Sequence, residues 1–257
     1  MDIKLYSYLF GLFGTDGSVC RNKTNKHIYR LVIELVDKDI LEKISDVLPN
    51  CTLVERVRDT NFKKNHHSYV LYCANKDFIK WCEDNKLPLF DKTNNVAPPI
   101  KDYIESDFWR GVIDGDGSIG IKTIDGQPFI SLVTKSEFLK ESFCDYIYKI
   151  TDFRPNIHRN KRDNIYNIAV HGEKAQKICA SLYNDADIYL DRKYQSYLEI
   201  IPWHKKDMHT VTRKKWTQEE EEDLLKMTNE EFHQKHPERT LVAIRGKRNK
   251  LKKGELK

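Results

Sequence analysis

Nowhere in its 257 residues does the chain hold the ~18 or more continuous apolar residues that a membrane-spanning helix needs, so a membrane helix is not expected. Its start, Met1-Asp2-Ile3-Lys4, lacks the basic-then-apolar order of a secretory signal. The six cysteines never form a C-x-x-C pair, which argues against a zinc ribbon or a dithiol redox centre. Several of them stand inside apolar runs, where they read as small buried hydrophobes in a reduced, intracellular protein. There is no G-x-x-x-x-G-K-[ST] loop, and with it goes the signature of an ATP phosphate cradle. His66-His67 suggests a metal or base pair only until it is placed on a strand, where adjacent side chains point to opposite faces.

What the chain does have is a short apolar segment that occurs twice and ends each time at an aspartate. The first copy runs Leu9-Phe10-Gly11-Leu12-Phe13-Gly14-Thr15-Asp16-Gly17-Ser18, the second Trp109-Arg110-Gly111-Val112-Ile113-Asp114-Gly115-Asp116-Gly117-Ser118. A recurrence about one small domain apart implies two similar halves in tandem. Gly11 and Gly111 are expected to let the two helix backbones approach closely, and Gly17 and Gly117 to allow the turn into the next strand. That geometry brings Asp16 and Asp116 together at a helix interface. Two adjacent carboxylates can hold a hard divalent cation such as Mg²⁺, the ion that phosphodiester hydrolysis commonly requires. Asp114, on a different helix face, is expected to serve as a cap or local hydrogen-bond acceptor.

At these residues the chain resembles the LAGLIDADG homing endonucleases in their single-chain, two-motif form, over roughly residues 1 to 203. The second copy matches well; the first carries Gly14 where the family usually has the earlier acid. The resemblance implies that Asp16 and Asp116 are metal ligands and catalytic. It also implies that a lysine after the last helix of each half borders the active site. Leu89-Phe90-Asp91-Lys92 and Leu190-Asp191-Arg192-Lys193 supply Lys92 and Lys193, with Arg192 as a competitor in the second half. Mg²⁺ is the implied cofactor, with Mn²⁺ substituting and Ca²⁺ supporting binding without cleavage.

Apolar alternation and helical periodicity give each half the order αββαββα, an α+β fold whose paired halves form a DNA-binding saddle. The expected strands include Asn156 to Arg159, and Ser136 and Asp39 are expected helix starts. The expected boundaries are a first half at 1–92, a linker at 93–101, a second half at 102–203, a linker at 204–212 and a small C-terminal domain at 213–257. Asn94-Asn95 and Pro98-Pro99 mark the first linker.

The net charge of +5 sits entirely in the C-terminal part: residues 1–203 hold 29 Lys+Arg against 29 Asp+Glu, and residues 204–257 hold 15 against 10. Within the neutral core the cations gather on the expected hairpins. Arg21, Lys23, Arg30, Arg56, Arg58, Lys63, Lys64, Arg154, Arg159, Lys161 and Arg162 are candidate DNA contacts, and Lys122 a lesser one on a hairpin of zero net charge. Basic strands on an acidic body suit a protein that follows a DNA groove.

The C-terminal part looks like a Myb/SANT-type helix-turn-helix. Thr217 with Glu220 and Thr228 with Glu231 form two capping boxes, Thr240 can cap a third helix, and Arg245, Lys247 and Arg248 make that helix basic enough for DNA. The whole therefore reads as a monomeric, metal-dependent endonuclease acting on double-stranded DNA. An RNA-binding intron maturase and a catalytically silent DNA-binding regulator are the alternatives.

Overall fold

The computed structural model of the protein describes residues 2–21, 29–59, 64–88, 92–205 and 215–252. They fall into two compact units, Met1–Lys205 and Lys206–Lys257. Lys23 and Lys63 lie outside the described residues, as does most of the second expected linker.

The first unit opens with α1 (Ile3–Thr15), β1 (Gly17–Arg21), β2 (Tyr29–Leu35), α2 (Lys38–Val47), β3 (Cys51–Arg58), β4 (His66–Cys73) and α3 (Lys76–Asp84). Its four strands form one antiparallel sheet in the order β1-β2-β4-β3. After a single helical turn, α4 (Lys92–Asn95), come α5 (Glu105–Asp116), β5 (Gly117–Ile121), β6 (Pro128–Thr134), α6 (Glu137–Thr151), β7 (Tyr166–His171), α7 (Glu173–Tyr183) and α8 (Asp191–Ile200). Here the antiparallel sheet has three strands, β5-β6-β7.

The fold is α+β, but the halves are not equal. The strand expected at residues 156–159 does not form, and this segment runs without a ladder. Pro155 lacks an N–H, and the turn beyond is closed by two backbone bonds, Asn160 N to Ile165 O at 2.8 Å and Asn164 N to Asn160 O at 2.9 Å. The expected linker at 93–101 contains α4, because Val96 N bonds Lys92 O and closes a helical turn over Asn94-Asn95. α6 starts at Ser136, whose hydroxyl accepts from Leu139 N at 3.2 Å. α2 starts at Asp37 and leaves Asp39 inside its first turn.

The core is built around α1 and α5. Every residue of α1 from Leu5 to Gly14 is buried, and α5 is buried from Asp107 to Asp114. Helices without a polar face need protein all round, and each finds it in the other helix and in the inner sheet faces. Those faces contribute Leu31, Ile33, Leu71, Ile130, Leu132 and Ile168. A Cβ at Gly11 would collide with Phe108 O and Val112 N, and one at Gly111 with Tyr8 O and Leu12 N. Only glycine lets the two backbones come this close.

The second unit packs α9 (Gln218–Lys226), α10 (Asn229–Lys235) and α11 (Leu241–Lys252) around Leu224, Phe232 and Ile244. Both capping boxes form, at Thr217/Glu220 and Thr228/Glu231.

Candidate active site

α1 and α5 end side by side, and each delivers its aspartate at the last turn. Asp16 is the C-cap of α1, with its N–H on Leu12 O and Phe13 O, while Asp116 is the last residue of α5. The close approach continues to this end: a Cβ at Gly115 would strike the Thr15 side chain and lie 3.0 Å from an Asp16 carboxylate oxygen. Thr15 itself turns its hydroxyl back onto Gly11 O and Leu12 O.

Neither aspartate carboxylate accepts a hydrogen bond or forms an ion pair among the described residues. Burial raises the pKa of Asp16, Asp116 raises it further, and Lys92, Lys193 and Arg192 oppose the rise. Asp116 is likewise raised by burial and lowered by Lys92 and Lys193. Both side chains still reach solvent, so water screens these effects. Two oxygen-only donors, unpartnered and crowded together, are a fit for a hard divalent cation, whose charge would relieve the rise. Asp116 also lines a cleft of about 210 Å³ together with Gly14, Thr15, Lys92 and Lys135.

The two lysines stand behind the acids and close the helix ends. Lys92 donates to Thr15 O and Gly17 O. Lys193 donates to Ile113 O, to Asp114 O at 2.7 Å and to Gly117 O at 2.9 Å. Thr15 O and Asp114 O are carbonyls at the negative ends of α1 and α5, where an ammonium is favourable; Gly17 O and Gly117 O open the strands that follow, and Ile113 O also accepts from Gly117 N. Lys193 thereby uses all three of its donors, and Lys92 keeps one. Burial pulls the Lys193 pKa down to about 8, against the pull of Asp114, Asp16 and Asp116. Lys92 is lowered by burial too. Arg192 points elsewhere, to Asp37 at 3.2 Å.

Asp114 is the residue the sequence disclosed least. It is fully enclosed and accepts from Tyr8 Oη at 2.9 Å, Tyr183 Oη at 2.6 Å and Leu190 N at 2.9 Å. It is an acceptor as expected, but none of its partners is local. Through Leu190 it fixes the turn that leads into α8 and Lys193. In the first half Gly14 replaces it, beside Val96 and Leu87. Tyrosines spaced far along the chain gave no signal of this arrangement.

The candidate DNA contacts separate by the pleat of the strands. In the first sheet Ser18, Arg30, Val32, Thr52, Arg56, Arg58 and Tyr72 share the face turned away from the helices, whereas Arg21 has the parity of the core residues Val19 and Leu31. On that outward face Arg56 and Arg58 both bind Glu34, at 2.8 and 3.0 Å, and Ser68 donates to the same carboxylate. Glu34 escaped the sequence reading because β2 meets β3 only across β4. Lys64 is exposed at the turn before β4.

The outward face of the second sheet is nearly neutral: Ser118, Gly120, Phe129, Ser131, Asn167, Ala169 and His171. Lys122 lies 3.4 Å from His171 at its end. Arg154 is held by Glu141 and Asp145 of α6, at 2.6 and 2.9 Å. Arg159 donates to Tyr166 Oη at 2.8 Å and lies over that ring. Lys161 is exposed in the following turn, and Arg162 pairs with Asp163.

In the second unit Arg245 is exposed, whereas Lys247 and Arg248 are engaged inside it. Lys247 pairs with Glu221 at 2.7 Å, and Arg248 donates to Asn229 Oδ1 and Met227 O. Among the described residues one group of three candidate metal ligands occurs, Glu220, His236 and Glu238. Arg239 already holds both oxygens of Glu220, at 2.9 Å each. No described helix is long and apolar enough to cross a membrane.

A LAGLIDADG-like domain model matches residues 4–85; the second copy of the motif lies beyond the match. No curated protein matches the sequence. Similar solved structures include the homing endonuclease I-WcaI bound to its DNA recognition sequence, at 19% identity and a TM-score of 0.49 over 76% of this chain and 86% of that one. They also include the meganuclease I-SmaMI bound to uncleavable DNA, at 11% identity and 0.48 over 77% and 89%. The N-terminal LAGLIDADG domain of WhiA is a third, at 13% and 0.42 over 82% and 86%.

Proposed function

Because residues 4–85 form a LAGLIDADG-like domain and residues 109–118 repeat its helix end, we propose that the chain is a site-specific, divalent-metal-dependent endonuclease that breaks both strands of a long duplex DNA site. The observation that carries this reading is the convergence of Asp16 and Asp116, one from each half, with no donor to either carboxylate among the described residues. Core-directed acids such as Asp114 collect donors; among the described residues these two have none, and the charge of Asp116 raises the pKa of Asp16, a rise that a bound cation would relieve.

Asp16 and Asp116 would hold Mg²⁺, which when bound polarises the phosphate, activates water and stabilises the leaving oxygen. The chain's own contribution is placement. Gly11, Gly111 and Gly115 allow the helix ends to meet, and Lys92 and Lys193 fix the carbonyls from which the aspartates hang. The lysine charges also favour the approach of a phosphate to an otherwise acidic floor. Arg30, with Arg56 and Arg58 shared by Glu34, provides phosphate contacts on the first sheet, and the small polar side chains of the second sheet admit base edges. One chain supplies both acids, so the working form is a monomer, and the C-terminal three-helix unit adds a helix-turn-helix contact.

The test is selection of cleaved duplexes from a randomised library with Mg²⁺, followed by binding of the selected duplex and of a folded intron RNA in Ca²⁺. Capture of the duplex in Ca²⁺ and cleavage on transfer to Mg²⁺ is expected. Preference for the RNA would support a maturase, and duplex binding with no cleavage of any sequence would leave a silent DNA-binding protein.

A further inference from the structure

Two of the cysteines face each other across the first sheet. Cys51 opens β3 and Cys73 ends β4, and the antiparallel register sets them directly opposite. Ala74 N donates to Asn50 O at 2.9 Å, a bond between the residues that flank the pair. Cys51 and Cys73 therefore occupy a non-hydrogen-bonded site of the ladder. At such a site the Cα atoms lie about 4.5 Å apart and the side chains are at their closest. This falls within the span of roughly 4.4–6.8 Å that a disulfide bridges without moving the backbone.

Both side chains belong to the inner face of the sheet. Cys73, whose other cross-strand neighbour is Leu31, is 0% exposed, whereas Cys51 packs against the same core but is only partly buried. The pair is thus open to solvent on the Cys51 side. The two sulfurs also hydrogen-bond each other. Cys51 donates to Cys73, which raises the Cys51 thiol and holds Cys73 below the ordinary thiol range against the effect of burial. One sulfur of the pair keeps thiolate character, the form that reacts with oxidants. The other buried thiols do not share this: burial raises Cys82, Cys144 and Cys179.

The position of the pair gives a bond there a mechanical effect. β3 stands at the edge of the sheet in the order β1-β2-β4-β3, with β4 as its neighbour. Thr52, Arg56 and Arg58 lie on its opposite face. A covalent link at Cys51 and Cys73 would fasten the edge strand from inside and leave the outward face as it is. It would also close a loop from residue 51 to residue 73, which removes freedom from the unfolded chain.

We propose that Cys51 and Cys73 form a redox-sensitive dithiol that a peroxide closes to a disulfide, clasping edge strand β3 to β4. The peroxide oxidises one sulfur of the pair to the sulfenic acid and is itself reduced to water. The second sulfur then attacks the first; the S–S bond forms as the S–O bond breaks, and the oxygen leaves with the second thiol proton as another water. A dithiol reductant reverses the step.

The experiment treats the full-length, metal-free protein with hydrogen peroxide, blocks the remaining thiols and maps the linked peptides by mass. Exposed Cys20 reports that the oxidant has acted. The expected product joins Cys51 to Cys73 within one chain. The unfolding temperature of the first unit rises by about 5 °C or more, and dithiothreitol removes both the link and the rise. Cys51→Ser and Cys73→Ala each abolish the link and the rise, whereas Cys82→Ala keeps both. Cys51→Ser replaces the partly exposed partner, so it tests the clasp even where Cys73→Ala fails to fold.

Oxidation of Cys20 with Cys51 and Cys73 still reduced would overturn the proposal. So would a link from either cysteine to Cys82, or conversion of Cys51 to the sulfinic acid with no link. A Cys51–Cys73 bond that leaves the unfolding temperature unchanged or lowers it would contradict the clasp.

Discussion

Lys92 and Lys193 occupy matching places in the two halves but differ in what depends on them. Lys193 donates to three backbone carbonyls, of which Ile113 O also accepts from Gly117 N, and is almost fully enclosed; Lys92 donates to two. A buried acceptor left without a donor costs about 1–3 kcal/mol, so Lys193→Met should lower the unfolding free energy of the metal-free protein by roughly 2–4 kcal/mol, and Lys92→Met by less. Urea titration checks the order, and a larger loss at Lys92 would contradict it. The pH dependence has a definite sign. Burial moves the Lys193 pKa from 10.5 to about 8, so between those values the unfolded chain binds a proton that the native state has released. Stability then rises with pH in that window. Wild type should gain on Lys193→Met from about pH 8 to 10.5 and run parallel to it below. The aspartates have the opposite sense: their raised pKa values mean that stability present at low pH is lost as pH rises through the native values. Without divalent metal at neutral pH, Asp16→Asn or Asp116→Asn should therefore raise the melting temperature, and added Mg²⁺ should stabilise wild type more than either variant.

Elements carried by local chemistry could be read from the sequence, and those that depend on distant partners could not. α1 and α5 are legible because both end in Asp-Gly after an apolar run, and α6 because Ser136 caps it. The strands of the first sheet show their alternation in the chain itself. Residues 156–159 resemble a strand by composition, yet Pro155 and the Arg159–Tyr166 contact leave them without a ladder. The Glu34 clamp on Arg56 and Arg58 needs the strand order β1-β2-β4-β3, which no local pattern encodes. Asp114 needs Tyr8 and Tyr183 from two other elements. The helix pair itself yields a sharp expectation. Since a Cβ at Gly11 or Gly111 collides with backbone of the other helix, Gly11→Ala or Gly111→Ala should cost about 3 kcal/mol or prevent folding. Thermal unfolding of each variant checks this. Gly246→Ala, where a Cβ meets nothing, is the control and should be neutral or slightly stabilising.

At the scale of the molecule, the positive charge is unevenly placed. The first 203 residues are neutral and residues 204–257 carry the excess, while several core arginines are held by acids of their own half. Electrostatic attraction to DNA should accordingly depend heavily on the C-terminal part. Removing residues 212–257 should leave cleavage intact at saturating protein and weaken binding. It should also flatten the slope of log affinity against log salt by about 0.9 for each phosphate that the shortened chain no longer neutralises; an unchanged slope would contradict this. The central claim is narrower: two aspartates, one per half, make the nuclease. The most direct measurement is strand-resolved cleavage of the selected duplex by wild type, Asp16→Asn and Asp116→Asn in Mg²⁺, with binding of the same duplex measured in Ca²⁺. The expected result is near-parental binding by all three proteins and double-strand breaks from wild type alone. An Asn variant that still cuts both strands at the parental rate would contradict the account.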